Sequence, residues 1–214
     1  MATKHESVVA MLSGGLDSSV VAYQAARDHR KVVALTFDYG QPSSSSQIAA
    51  SRRICRRLDI KLEVVDISGL RFSMLGLSDS ADLPLGFAGS DMANCPYGLF
   101  GLTATYARLL GASSVYTGIN AGDLSQSPRA EKWLKEFSRL TSELNGSKFA
   151  LVSPCLRLTK AKVLNLGVSL KVPFELTWSC SSGSVEHCGV CKACTERRAG
   201  FKTAKLQDPT SYCR

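Results

Sequence analysis

The chain has 214 residues, of which 44% are hydrophobic and 21% are charged, and this length allows one α/β domain with a full core plus a small appendage. No apolar run is long enough for a membrane helix, and the first residues lack an apolar leader, so we expect a cytoplasmic protein without a membrane partner. The formal net charge of +8 suits an anionic partner such as a nucleotide or pyrophosphate. Because the basic residues are scattered in short pairs such as Arg197-Arg198, which we expect to be solvated, nucleic acid is disfavoured.

The first half of the chain alternates apolar runs with helical segments. Strands are predicted at 7–12, 31–37 and 61–66, with one helix running to about Arg27 and a basic helix ending near Leu58. Asp17 or Ser18 is expected to cap the first helix. This alternation predicts a doubly wound parallel sheet, which binds ligands beyond the carboxyl ends of its strands.

The second half begins with an irregular segment from Ile67 to about Pro96, which we interpret as a lid or a disordered region. After it we predict helices at 97–110, 131–144 and 159–166 and strands at 113–117 and 149–152. The middle helix is predicted to bury Trp133, Leu134, Phe137, Leu140 and Leu144, which recur at helical spacing. We divide the chain into an ATP-binding α/β domain at 1–176 and a cysteine segment at 177–214.

A glycine-rich turn, Ser13-Gly14-Gly15-Leu16-Asp17-Ser18-Ser19, follows the first strand. Its glycines allow a sharp turn and a close approach to a ligand, and the amides at the start of the next helix would face an anion. The three serines add hydroxyl donors, and Asp17 can orient the loop or share a magnesium ion. The pattern lacks the lysine and spacing of a Walker loop. We therefore predict a phosphate-binding loop rather than a plain capped turn.

Four of the 8 cysteines cluster near the end of the chain, as Cys180, Cys188, Cys191 and Cys194. This spacing in a cytosolic protein indicates a metal site rather than disulfides. Four thiolates would close the shell of a structural zinc ion, although an iron–sulfur cluster is the rival and His187 can replace one cysteine. Cys55 and Cys155 are predicted to be small core residues.

Two further segments place polar groups at the expected ligand side of the sheet. Lys160 starts a predicted helix and would reach a phosphate there, although a lone lysine is more often solvated. Asn120, Asp123 and Ser125 follow the fourth strand, where an aspartate can accept two hydrogen bonds from a guanine-like edge. Helix capping explains these three residues equally well.

Together these motifs resemble the 7-cyano-7-deazaguanine synthase family of the queuosine pathway, within the ATP-pyrophosphatase superfamily. The residues that carry the resemblance are the loop at 13–18, Asp38-Tyr39-Gly40-Gln41, Thr117-Gly118-Ile119-Asn120 with Asp123, Thr159-Lys160-Ala161 and the cysteine block. The resemblance implies an adenine nucleotide α-hydrolase-like fold. It also implies an ATP site formed by residues 13–19 and Asp38, catalytic roles for Asp17 and Lys160, and a substrate site at Asn120, Asp123 and Ser125.

The family's reaction is the ATP-dependent activation of 7-carboxy-7-deazaguanine, the addition of ammonia to give an amide, and a second activation that yields the nitrile. For this chain the resemblance therefore implies ATP, Mg²⁺ and Zn²⁺, release of AMP and pyrophosphate, and a homodimer. The sequence departs from the family pattern at 93–96, which includes Cys95, and at 121–130, which includes Arg129. Alternative hypotheses are a relative that stops at an amide or uses another amine, even that of a protein, and a tRNA-modifying enzyme that adenylates a nucleobase.

Overall fold

A parallel sheet forms the centre of the protein in the computed structural model, which describes residues 7–29, 31–69, 97–126 and 129–213. Within these residues its strands are β1 (Ser7–Met11), β2 (Lys31–Asp38), β3 (Lys61–Asp66), β4 (Ser114–Tyr116) and β5 (Ala150–Val152). The strand order is β3-β2-β1-β4-β5, and all four pairings are parallel. The order reverses at β1, so the ligand crevice of such a sheet is expected between the carboxyl ends of β1 and β4. The predicted doubly wound sheet is confirmed.

The helices of the described chain are α1 (Leu16–Asp28), α2 (Ser44–Leu58), α3 (Tyr97–Leu109), α4 (Ala121–Gln126), α5 (Ala130–Asn145), α6 (Lys160–Ser169) and α7 (Lys192–Ala204). A short 3-10 helix spans Phe174–Leu176. Helix α7 lies inside the segment that we predicted only as a cysteine block with a basic tail. None of the described helices combines the length and the apolar character that crossing a membrane requires.

Helices cover both faces of the sheet because the strands are apolar on both sides. Val9 of β1 faces a core cluster that includes residues of α3 and α5, whereas Val8 and Ala10 face a cluster with α1 and α2. A third cluster joins α1 to α6 and α7, which contributes Phe201. Cys55 and Cys155 are buried as predicted, and burial raises the pKa of their thiols to about 12 and about 11, respectively.

Two local predictions are wrong. Helix α1 begins at Leu16 with Gly15 as its N-cap and no side-chain cap, so neither Asp17 nor Ser18 caps it. The apolar face of α5 packs only through its first half, because Leu140 and Leu144 are 50% and 74% exposed. By contrast, α6 has a side-chain cap, because the Thr159 hydroxyl accepts a hydrogen bond from the amide of Lys162.

The irregular segment predicted from Ile67 to Pro96 lies, beyond residue 69, outside the described residues. The same holds for Cys95 and for residues 127 and 128 of the altered 121–130 segment. The division that we predict between 176 and 177 falls directly after the 3-10 helix.

Candidate active site and metal centre

The loop between β1 and α1 is held between two neighbouring elements. Gly14 has φ +74°, and a Cβ atom there would lie 2.6 Å from the carbonyl oxygen of Gln47 in α2. On the other side, a Cβ atom on Gly118 would lie 2.9 Å from the backbone nitrogen of Ser18. Because side chains at these two positions would collide with backbone, the glycines permit the ends of β1 and β4 to meet at the start of α1.

The hydroxyl groups of the loop are partly committed to its own shape. The hydroxyls of Ser13 and Ser18 lie 3.0 Å apart, and the Ser13 amide donates to the Ser18 hydroxyl oxygen at 3.2 Å. Ser19 is completely buried, and within the described part of the chain its hydroxyl has no hydrogen-bond partner. The Ser13 and Ser18 hydroxyls therefore help to hold the backbone of the loop, whereas the Ser19 hydroxyl does not.

Asp17 and Lys160 form an ion pair through one carboxylate oxygen, Oδ2, although 143 positions separate them in sequence. Their side chains are 21% and 28% exposed, so the pair faces a partly enclosed space. The other carboxylate oxygen, Asp17 Oδ1, is buried and has no hydrogen-bond partner among the residues that the structure describes. A carboxylate oxygen accepts hydrogen bonds or ligates a hard cation. This oxygen could therefore hold a hard cation such as Mg²⁺.

Two cavities, of about 520 and 770 Å³, open on the loop. Both volumes lie within the range of small-molecule sites. The residues that line both cavities are Ser13, Gly15, Asp17, Gln47 and Asp123. Asp17 therefore stands at the junction of two spaces, where a bond between ligands in the two spaces could be made or broken.

The walls of the two cavities differ in chemistry. The smaller cavity is mostly apolar and aromatic, with walls that include Leu12, Leu35, Phe37, Tyr39, Phe100 and Trp133. The lining of the larger one includes the polar or charged side chains of Lys160, Asn120, Glu196 and Arg197. Flat apolar walls suit a heterocycle, and the Lys160 ammonium suits phosphate, whereas the Arg197 guanidinium is buried and bonded to Asp208.

The Asp38 side chain bonds the backbone of its own turn. Its carboxylate accepts a hydrogen bond from the Gly40 amide at 2.9 Å, which fixes the turn after β2. That turn presents Tyr39 to the smaller cavity, while Asp38 lies outside both linings. Of the residues predicted at the ATP site, those that line a cavity are Ser13, Gly15, Leu16, Asp17 and Ser18, whereas Gly14, Ser19 and Asp38 line neither.

Asn120 lies directly before helix α4, and Asp123 and Ser125 lie within it, as the helix-capping alternative predicts. The Asn120 side-chain oxygen accepts from the Gly122 amide at 2.7 Å, and the Asp123 carboxylate accepts from the Asn120 amide at 2.9 Å. This reciprocal pattern is a capping box. Asn120 and Asp123 also line cavities, whereas Ser125 is exposed and donates to the Gly122 carbonyl. Capping and cavity lining therefore coexist here.

The four predicted cysteine ligands converge, with all four sulfur atoms within 4.8 Å of one another. A tetrahedral ion with metal–sulfur bonds of about 2.3 Å separates its sulfurs by about 3.8 Å. The observed Cys180–Cys191 Sγ separation is 4.0 Å. Backbone amides already donate to the sulfurs of Cys180 and Cys188, at 3.4 and 3.3 Å. The cluster therefore has the size and the supporting hydrogen bonds of a single-ion site.

Opposing effects act on the Cys180 thiol. Burial alone would raise the pKa of this thiol. Hydrogen bonds from the Cys188 amide and from the Ser182 and Ser184 hydroxyls together have the larger effect and lower the pKa to about 6. The thiolate, which is the form that binds metal, is thereby favoured at neutral pH.

His187 is not part of the sulfur cluster. Its Nε2 atom accepts a hydrogen bond from the Ser179 amide at 3.0 Å, and its ring centre lies 4.2 Å from that of Trp178. Burial, together with the nearby Arg197 charge, lowers its pKa to about 4. The structure thus gives no support to the alternative in which this histidine replaces a cysteine.

Sequence reasoning missed two residues that join the cysteine segment to the rest of the protein. The Trp178 amide donates to the Gly14 carbonyl at 2.7 Å. Arg197, which we expected to be solvated, has a fully buried side chain that donates to Thr177, the Phe174 carbonyl and Asp208. No local pattern marks such long-range partners, and the only available signal was the position of Trp178 two residues before Cys180.

Comparison with known proteins identifies the family. The family model described as "Queuosine biosynthesis protein QueC" matches residues 7–205. The chain belongs to this family. Its relatives include the 7-cyano-7-deazaguanine synthase of Aliarcobacter butzleri (strain RM4018), 34% identical over 97% of this chain and 96% of the relative. The enzyme of the same name from Anaeromyxobacter sp. (strain Fw109-5) is 37% identical over 95% of each chain.

Solved structures share the fold of this family member at low sequence identity. An NMN synthetase from Francisella tularensis matches with a TM-score of 0.57 and 22% identity over 95% of this chain and 79% of its own. An NH3-dependent NAD synthetase from Campylobacter jejuni matches with a TM-score of 0.55 and 20% identity over 82% and 68%. At this identity the likeness establishes the architecture only.

Proposed function

We propose that the protein is an ATP-dependent ligase that converts 7-carboxy-7-deazaguanine into 7-cyano-7-deazaguanine through an amide. The observation that carries the proposal is the Asp17–Lys160 pair at the junction of the two cavities, with one buried carboxylate oxygen that no described residue bonds. The names of the relatives supply the substrate class.

In the proposed complex, the heterocycles of ATP and substrate occupy the smaller cavity with its aromatic walls, and the β- and γ-phosphates extend over the loop into the larger cavity, which Lys160 lines. The amides at the start of α1 and the Lys160 ammonium then face the phosphates. Groups fixed in this way stabilise the charge that develops on departing pyrophosphate, because they need no reorganisation during the reaction.

The first activation makes a poor leaving group into a good one. A carboxylate oxygen attacks the α-phosphorus, the bond to the bridging oxygen of pyrophosphate breaks, and an acyl adenylate forms. Ammonia then attacks the carbonyl carbon and loses a proton, and AMP departs with the former carboxylate oxygen. The apolar walls around Phe37 and Trp133 would keep water from competing with ammonia.

The second activation uses another ATP in the same geometry. The amide oxygen attacks the α-phosphorus and pyrophosphate departs again. The carbon–nitrogen triple bond forms as AMP leaves with the oxygen and the nitrogen gives up its remaining protons. Each turnover thus converts two ATP into two AMP and two pyrophosphate.

Two metals complete the proposal. Asp17 Oδ1 would hold magnesium, which offsets phosphate charge when bound. A structural zinc ion would be held by Cys180, Cys188, Cys191 and Cys194. Their four sulfur atoms lie within 4.8 Å of one another, which suits a single ion better than the larger iron–sulfur cluster. We further propose a cytoplasmic homodimer with ammonia as the nitrogen donor.

The relatives favour this reaction over the alternatives. Both carry the nitrile synthase name and match almost the whole chain, which favours the full conversion over an enzyme that stops at an amide or conjugates an amine of a protein. A tRNA-modifying role has no comparable support. The U34-tRNA thiolase and the 4-thiouridine synthetase among the solved structures are only 16% and 18% identical to this chain.

Mass spectrometry of a reaction with ATP, 7-carboxy-7-deazaguanine and ammonia tests the proposal. We expect the nitrile together with AMP and pyrophosphate, and a transient amide. Accumulation of the amide alone would refute the second activation, whereas ADP with orthophosphate would refute the adenylation chemistry.

A further inference from the structure

Trp178 connects the sulfur cluster to the phosphate loop. Its backbone amide donates to the Gly14 carbonyl at 2.7 Å, and its indole N–H donates to the Cys180 carbonyl at 2.8 Å. The side chain is buried in a cluster with Ala50 of α2 and with Cys180 and Cys194. One residue therefore contacts both the loop and the backbone of a metal ligand.

The cysteine segment determines where Trp178 lies. The neighbouring Ser179 amide donates to His187 at 3.0 Å, and His187 directly precedes Cys188. The Arg197 side chain, which belongs to α7, donates hydrogen bonds to the hydroxyls of Thr177 at 2.8 Å and Ser179 at 3.3 Å. Helix α7 starts between the third and fourth cysteines. Release of the metal would loosen these contacts near the cysteines, because the four sulfurs would no longer be held together, while Phe201 keeps α7 packed on α6.

The other observed contacts of the loop come from the sheet domain. Gly14 packs against Gln47 of α2, and Ser18 packs against Gly118 after β4. Trp178 adds a contact from the cysteine segment, and its carbonyl oxygen lies 3.6 Å from a Cβ position on Gly15. The position of the loop thus depends on both parts of the chain.

We propose that Trp178 is a positioning residue that couples the metal-loaded sulfur cluster to the phosphate loop, so that zinc and ATP each increase the affinity for the other. This inference rests on the proposed ATP site. Coupling of two sites is reciprocal, so the effect of ATP on zinc affinity measures the effect of zinc on ATP affinity.

The test is an equilibrium competition for zinc between the wild-type protein and a chelator, with and without saturating magnesium α,β-methylene-ATP. We expect the analogue to raise the zinc affinity about tenfold, a typical coupling between sites. Calorimetric titration of the analogue into zinc-loaded protein accompanies it. Absence of analogue binding would overturn the proposed function and this inference with it. Binding without a change in zinc affinity would overturn the inference alone.

A matched pair of variants assigns the coupling to Trp178. Trp178→Phe keeps an aromatic side chain and the backbone amide but loses the indole hydrogen bond to the Cys180 carbonyl. The increase in zinc affinity that the analogue causes should then fall to about threefold or less. Tyr212→Phe, on the other side of His187, disturbs the cysteine segment through Asp208 without touching the loop. In this control the zinc affinity can change, but the ratio between the two conditions should stay near tenfold. Full retention of the ratio in Trp178→Phe would overturn the proposal.

Discussion

The loops after β1 and β4 lie side by side but use their polar groups in opposite ways. In the first loop, Asp17 Oδ1 and the Ser19 hydroxyl are buried and have no hydrogen-bond partner in the ranges 7–29, 31–69, 97–126 and 129–213. In the second, the Asn120 and Asp123 side chains bond backbone amides of their own turn. Unsatisfied buried groups cost free energy unless a ligand completes them. The difference indicates that the first loop is prepared for a ligand, whereas the second mainly builds its own backbone.

The largest effect should come from loss of the metal. The cysteine segment that holds the metal also holds Trp178, and Trp178 contacts the first loop. Cys194→Ser removes one of four clustered sulfurs, so we expect zinc to fall from about one ion per chain to near zero, with unfolding of the cysteine segment. Metal analysis and hydrogen exchange would measure both. Cys213→Ser, an exposed cysteine outside the cluster, is the control and should keep its zinc. Full zinc in Cys194→Ser would contradict the assignment.

Asp17→Ala should slow pyrophosphate release roughly 100-fold or more, since it removes a preorganised group at the phosphate site. The fold should survive, as judged by unchanged cooperative thermal unfolding. Asp28→Ala, which removes an exposed carboxylate from the other end of the same helix, should retain full activity. Equal losses of activity in both variants would show that Asp17 has no specific role at the phosphate site.

Arg129 offers a smaller test on the substrate side. It lines the apolar cavity with Asp123, and it lies in the segment that departs from the family pattern. Arg129→Ala should raise the KM for 7-carboxy-7-deazaguanine about tenfold, the value of one charged contact, while leaving the KM for ATP unchanged. A shift in the KM for ATP alone would show that Arg129 contacts the nucleotide instead of the deazaguanine substrate.

The sequence predicted those parts of this comparison that depend on local patterns. The strands, the glycine-rich turn and the cysteine spacing are contiguous signals, and all were found in the expected places. Exposure of Leu140 and burial of Arg197 were not predictable, because each depends on what the fold brings alongside. The same limit applies to Trp178, whose partner Gly14 is remote in sequence.

Asp123→Ala should lower the free energy of unfolding by about 1 kcal/mol, the usual cost of a lost helix cap. Urea denaturation would measure it. An unchanged stability would show that the carboxylate is held for a ligand instead of for α4.

Ser19→Ala should have the smallest effect and the opposite sign. Removal of a buried hydroxyl without a partner should stabilise the ligand-free protein by about 1 kcal/mol. If the hydroxyl turns to a bound phosphate oxygen, as the sequence pattern predicts, the Kd for α,β-methylene-ATP should rise severalfold in the same variant. A loss of stability in the ligand-free state would mean that the hydroxyl is already satisfied.

The most direct test of the account uses 7-carboxy-7-deazaguanine labelled with ¹⁸O in its carboxylate. If the carboxylate and then the amide oxygen attack the α-phosphorus, each leaves as part of AMP, so the label should appear in AMP and not in pyrophosphate. Mass spectrometry of the nucleotide products reads this out in one experiment. Label in orthophosphate, with ADP as the nucleotide product, would contradict the central claim that this family member adenylates its substrate.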